Sequence, residues 1–309
     1  MTASAHPGLS IPVLAAAGAR SGAAQPARRA GRVLSCWALL AASAALLAGP
    51  AQAAFTVFEA AAANPAGLTP TRDSFRVAVG GGSVAAANGN FGGLRREINW
   101  DGVGNALADP KPLPADFFNT TSPRGVVFSS PTLDAGFAVS ANAGLATPGL
   151  FGFPGDLQTF SAQRLFAAVG SRITDINFFV PGTSTPATSS AFGVVFVDVE
   201  ERSASNFTLV EFFDTAGLLV FSRQAIPAGN QGLSFVGAVA GAGEQIGRVR
   251  ITTPDNFLLR NGVRANESTD FVVMDDFLYA TPSAVPEPAA MLLALLGLGG
   301  MAGWRTRQR

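Results

Sequence analysis

Asp270-Phe271-Val272-Val273-Met274-Asp275-Asp276-Phe277-Leu278-Tyr279 is the stretch that decides the fold class. Read as a β-strand, it puts Phe271, Val273, Asp275, Phe277 and Tyr279 on one face and Val272, Met274, Asp276 and Leu278 on the other. Each face is an apolar stripe interrupted by one aspartate. A carboxylate entering a sheet core is costly unless it is paired or coordinated. Three readings of Asp275 and Asp276 follow: ligands of a structural calcium ion, partners of an arginine, or residues at a frayed strand end.

Runs of the same kind recur upstream at residues 75–79, 125–129, 136–140, 173–180, 192–200, 207–213, 218–225, 233–239 and 246–252. They are rich in Val, Ile, Phe and Thr, the residues that suit a pleated, half-buried surface. Asn88-Gly89, Asp101-Gly102, Pro181-Gly182, Ala216-Gly217 and Asn261-Gly262 supply turn chemistry between them. No long helical pattern separates the runs. The pattern predicts an all-β domain, an antiparallel β-sandwich over residues 54–284, because two packed sheets bury such strands economically.

Composition narrows the chemistry of that domain. Cys36 and His6 both precede it, so residues 54–285 hold neither cysteine nor histidine. Ser-His-Asp and Cys-His catalysis, zinc sites built on those ligands, and disulfides are excluded for this stretch. It carries 14 basic and 20 acidic residues, a net charge of −6, which is unsuited to nucleic acid or anionic lipid in general and favours a cation as partner.

Among the remaining groups, a glycosidase needs two carboxyl groups facing one cleft. Asp275-Asp276 and Glu200-Glu201 are adjacent, and neighbours on a regular strand point to opposite faces, so neither doublet forms such a pair alone. No catalytic residue is assigned. Trp100, in Ile98-Asn99-Trp100-Asp101-Gly102, is the candidate ligand-binding residue, either an exposed ring stacking on a sugar or a strand-end ring capping the core. Gly80-Gly81-Gly82 follows an apolar run but no Gly-Lys-Ser/Thr comes after it, so it reads as a flexible turn.

The stretch 95–279 resembles a recurrent domain of secreted bacterial proteins, through Arg95-Arg96-Glu97-Ile98-Asn99-Trp100-Asp101-Gly102, Phe192-Gly193-Val194-Val195-Phe196-Val197-Asp198-Val199 and Val273-Met274-Asp275-Asp276-Phe277. Its pattern is similar to jelly-roll modules of the carbohydrate-binding kind, and that resemblance implies a structural calcium ion and an extracellular polysaccharide as partner.

Both ends of the chain read as processing segments. Arg28, Arg29 and Arg32 precede an apolar run at 33–48, and small residues at Ala51 and Ala53 fit a signal peptidase. Residues 1–53 are therefore expected to be a leader and signal peptide that engages the export machinery, with the mature chain starting at Ala54.

At the other end, Val285-Pro286-Glu287-Pro288 leads into an apolar stretch at 289–304 and then Arg305, Arg307 and Arg309. Sixteen helical residues reach about 24 Å, enough for a thin or transient span of the inner membrane. The arginines would stay cytoplasmic, placing the domain outside. The tripeptide, the apolar stretch and the basic tip resemble the PEP-CTERM sorting signal of Gram-negative bacteria. That resemblance implies that residues 285–309 are a sorting and anchor segment handled by an exosortase, and it associates the chain with exopolysaccharide or biofilm. The expectation is an exported protein, anchored transiently and then at the cell surface or outside it. Its role would be non-catalytic and adhesive or structural, with a carbohydrate-binding module as the alternative and a carboxylate-dependent glycoside hydrolase behind that.

Overall fold

The computed structural model describes residues 55–141, 151, 157–260 and 264–285. All the described residues lie within the unit Gln52–Arg309. The expected signal peptide, with Ala51 and Ala53, and the sorting residues from Pro286 to Arg309 lie outside the described residues. Among the described residues, no helix is long and apolar enough to cross a membrane.

In chain order the elements are β1 (Phe55–Ala62), α1 (Pro65–Val79), β2 (Asn90–Phe91), β3 (Arg95–Ile98), the single turn α2 (Phe117–Thr120), β4 (Val126–Ser129), β5 (Gly136–Val139) and β6 (Phe166–Val169). They continue with β7 (Ile173–Phe178), β8 (Ala187–Thr188), β9 (Ala191–Val197), β10 (Leu209–Phe213) and β11 (Leu219–Gln224). The last are β12 (Leu233–Ala240), β13 (Arg248–Thr252), β14 (Val273–Ala280) and β15 (Ser283–Ala284). Among the described residues, every pairing between these strands is antiparallel. One sheet of eight strands runs β1-β12-β9-β14-β3-β2, with β6 also pairing β14 and β5 pairing β6. A second of five runs β11-β10-β13-β7-β4, and β15 pairs β8. Neither sheet closes into a barrel.

β9 shows how the layers are built. Phe192, Val194 and Phe196 enter a core shared with Phe128, Ile176, Phe212 and Val249 of the five-stranded sheet. Ala191, Val195 and Val197 enter a second core with Leu68 and Phe75 of α1. Burial of both faces explains why this strand is apolar throughout, without alternation. The molecule thus adds a helix layer to the two expected sheets.

That helix corrects the expected strand at 75–79. Asn64 caps it, its side chain accepting from the Gly67 amide at 3.2 Å, and Pro65 occupies the first turn. Its interior is poor in helix formers, with Pro70 and several β-branched residues, so local propensity argues against it. Packing decides. Phe75 seats where a Cβ at Gly193 would approach its ring at 3.2 Å and one at Gly237 would come within 2.8 Å. The two glycines leave the hollow that the phenylalanine fills.

β14 departs from a regular strand. Met274 pairs with Phe196 and Phe277 with Val194, so Asp275 and Asp276 together face one residue of β9, a β-bulge. The bulge resets the alternation. Phe271 and Val273 pack with α1, whereas Phe277 and Tyr279 pack between the sheets. The expected shared face of these four residues is therefore split.

Candidate functional site

The bulge also brings together two carboxylates expected to diverge. The Ser161 hydroxyl lies 3.1 Å from Oδ1 of Asp275 and 2.7 Å from Oδ1 of Asp276. Oδ2 of Asp275 accepts the Phe160 amide at 2.6 Å and the Ser161 amide at 3.3 Å. Asp275 is fully buried and Asp276 is 4 % exposed. Arg72 of α1 reaches Oδ2 of Asp276 at 3.9 Å, stacks over the Phe160 ring at 5.0 Å, and is itself held by Asp73.

Burial raises the pKa of both aspartates. For Asp275 the neighbouring charge of Asp276 adds to the effect, and for Asp276 the Ser161 hydrogen bond and Arg72 oppose it. Two anions side by side in a dry core repel, so the pair as a whole favours holding a proton.

Asp101 stands close enough for the Asp276 charge to act on it. Burial first, and that charge second, push its pKa up to about 6. Glu97, another neighbour of Asp276, is fixed by Arg76 at 2.9 and 2.6 Å and by Arg95 at 2.6 Å. Farther along, Oδ2 of Asp270 accepts the Glu200 amide at 2.7 Å, and burial raises its pKa to about 7.

Trp100 falls on the core side of the two readings. It is 1 % exposed, stacks on Phe166 at 4.2 Å and 3°, and donates from Nε1 to the Asp275 carbonyl at 2.8 Å. A ring so enclosed has no face for a sugar, which corrects its candidacy for ligand binding. Sequence reasoning missed Ser161 and Arg72. Neither belongs to a motif, and only the fold brings them to the bulge.

As a metal centre the arrangement is sparse. Among the described residues no group of three or more His, Cys, Asp or Glu side chains is placed to hold an ion. Oδ2 of Asp275 is already engaged by two amide N–H groups, so a cation here would be held by the remaining carboxylate oxygens of the pair.

On the outer face of the five-stranded sheet, Glu211, Arg250, Asp175 and Ser129 form one cross-strand row. Arg250 grips Asp175 with two bonds of 2.8 Å, and Arg248 lies over the Phe213 ring at 3.9 Å. At the end of this sheet a groove of about 460 Å³ is lined by Asn177, Phe179, Pro186, Asp214, Arg248 and Val285. Val285 is the one expected sorting residue within the described region, and it follows directly on β15.

Comparison with known proteins bears on the tail. Residues 284–309 match the family model of the PEP-CTERM protein-sorting motif. No curated protein matches the chain. Among solved structures, the enzymatically active domain of bacteriophage CBA120 tailspike protein 4 is similar at 12% identity over 55% of this chain, with a TM-score of 0.22. The match covers 20% of that tailspike chain, and a likeness of this size carries no argument about fold or activity. With Pro286, Glu287 and Pro288 ahead of an apolar stretch and a basic tip, residues 284–309 carry a PEP-CTERM protein-sorting motif, which supports an exported protein processed by an exosortase.

Proposed function

We propose that the mature domain is a non-catalytic structural or adhesive β-sandwich, which an exosortase delivers to the surface or surrounding matrix of a Gram-negative cell. The work it does there is tied to exopolysaccharide or biofilm. The observation that supports a non-catalytic reading is the sealing of the acid pair: Asp275 and Asp276 meet each other, Ser161 and two amides, with no open side for a substrate. In this reading the pair holds a shared proton in place of a calcium ion, and the jelly-roll likeness describes the architecture of the sandwich.

A carbohydrate-binding role is the second reading. The row Glu211-Arg250-Asp175-Ser129 favours it, because charged and hydroxyl groups held flat on a sheet can match sugar hydroxyls. The test is a glycan array together with a polysaccharide hydrolysis panel. A structural protein gives neither saturable binding nor product. Saturable binding lost in Arg250→Ala supports the second reading, and product formation abolished by Asp276→Asn overturns the non-catalytic one. The sorting step is checked by intact mass in cells with and without the exosortase.

A further inference from the structure

Six large apolar side chains are exposed among the described residues: Val77, Val84, Leu94, Leu133, Leu218 and Leu219. Single exposed apolar residues are ordinary. Here five of the six gather at one end of the sandwich. β14 runs toward that end, where Ala280 pairs with Arg95 and the Leu94 carbonyl accepts the Thr281 amide at 2.8 Å. The last turn of α1, which carries Val77, is tied to the same place, since Arg95 bonds the carbonyls of Arg76, Gly80 and Gly82. Ser83 and Ala85, on either side of Val84, line a groove there with Val77 and Arg95. On the other sheet, the β10–β11 turn carries Leu218 and Leu219, and its Gly217 lines the groove that holds Val285. Leu133 sits at the opposite end, beside Thr132, whose hydroxyl bonds Ser171 just before β7 begins.

The chain leaves the sandwich at this apolar end. Val285 is followed by three residues, 286–288, before the apolar stretch 289–304. Three extended residues span about 10 Å, so an inserted tail holds this end of the domain within that distance of the bilayer. We propose that the end bearing Val77, Val84, Leu94, Leu218 and Leu219 is a docking surface for the lipid bilayer, in which these side chains enter the interfacial layer while the tail remains attached. Removal of the tail then frees the domain, since five interfacial side chains without an anchor hold it only weakly. This inference rests on the reading of residues 289–304 as an anchor.

The experiment uses protein purified from membranes of cells lacking the sorting enzyme, with the tail retained. No cysteine follows Cys36 in the sequence, so single cysteines at Leu94, Leu218, Leu133 and, in the tail, Leu293 can each carry an environment-sensitive fluorophore. The labelled proteins are reconstituted in vesicles of phosphatidylethanolamine and phosphatidylglycerol containing brominated lipid. Blue-shifted emission and several-fold stronger quenching at 94 and 218 than at 133 is the expected result. Quenching at 293 with 94 and 218 behaving like 133 overturns the docking surface and leaves the anchor standing. No quenching at 293 overturns the anchor and the docking surface together.

Discussion

Trp100 and Asp275 are joined across 175 residues by a buried hydrogen bond from the indole Nε1 to the main-chain carbonyl, at 2.8 Å. The bulge in β14 takes this carbonyl out of the regular ladder, and the indole satisfies it. Trp100→Phe keeps the ring stack on Phe166 and leaves the carbonyl without that donor, which costs about 1–3 kcal/mol. Trp100→Ala also opens a cavity and costs about 3–5 kcal/mol. Denaturant titration of the two variants measures the difference. A Trp100→Phe variant as stable as wild type would show that the hydrogen bond contributes nothing beyond packing.

The acid pair makes stability depend on pH in a direction opposite to the common one. Both aspartates have raised pKa values in the folded state, so above the unfolded carboxylate value of about 3.9 the folded chain binds more protons than the unfolded one. Stability from this pair is full at low pH and declines as pH rises through the folded values. Asn at position 275 reproduces the protonated form, accepting the two amides and donating to Asp276. The melting temperature of Asp275→Asn is therefore expected to exceed that of wild type at pH 8 and to match it near pH 4. A chelator should leave both unchanged. A fall in the wild-type melting temperature on chelation, absent in the variant, would instead establish calcium at this site.

Asp270 behaves in the same sense over a defined window. Its pKa of about 7 in the folded state means that stability is lost between about pH 4 and pH 7 as it ionises near Asp198 and Glu200. Asp270→Asn removes the charge and retains an acceptor for the Glu200 amide. A rise of about 2–4 °C in melting temperature at pH 8, vanishing by pH 4, is expected for a domain of this size. A pH-independent change would assign the effect to lost hydrogen bonding and not to charge.

The contrast between β9 and β14 shows what the sequence makes legible. Apolar runs with turn residues between them place most strands of both sheets, and the motif at 284–309 supports export. Periodicity fails at Asp275 and Asp276 because a bulge is one extra residue, and alternation alone does not reveal where the ladder absorbs it. It fails again at 75–79, where Val77 and Val79 read as a strand, although Asn64-Pro65 is a helix-start signal. The hollow above Gly193 and Gly237, made by two distant strands, selects the helix. Ser161 and Arg72 meet the carboxylates only through that same tertiary arrangement.

The N-terminal boundary yields the last prediction. β1 begins at Phe55, two residues after Ala53, the expected end of the signal peptide. It pairs with β12 along its whole length and forms the edge of the eight-stranded sheet. Phe55 stacks on Phe221 at 4.8 Å and 16°, and Phe58 meets Phe75 edge-on at 5.7 Å. A cut farther downstream would remove these rings and bare the edge of β12, whose unpaired N–H and C=O groups would invite pairing with another chain. The exported protein should therefore begin Ala54-Phe55-Thr56 by N-terminal sequencing. A variant lacking residues 54–58 should melt lower and self-associate in sedimentation experiments. A native start beyond Phe58, or a truncated variant that stays monomeric with an unchanged melting temperature, would show that β1 is dispensable to the sheet.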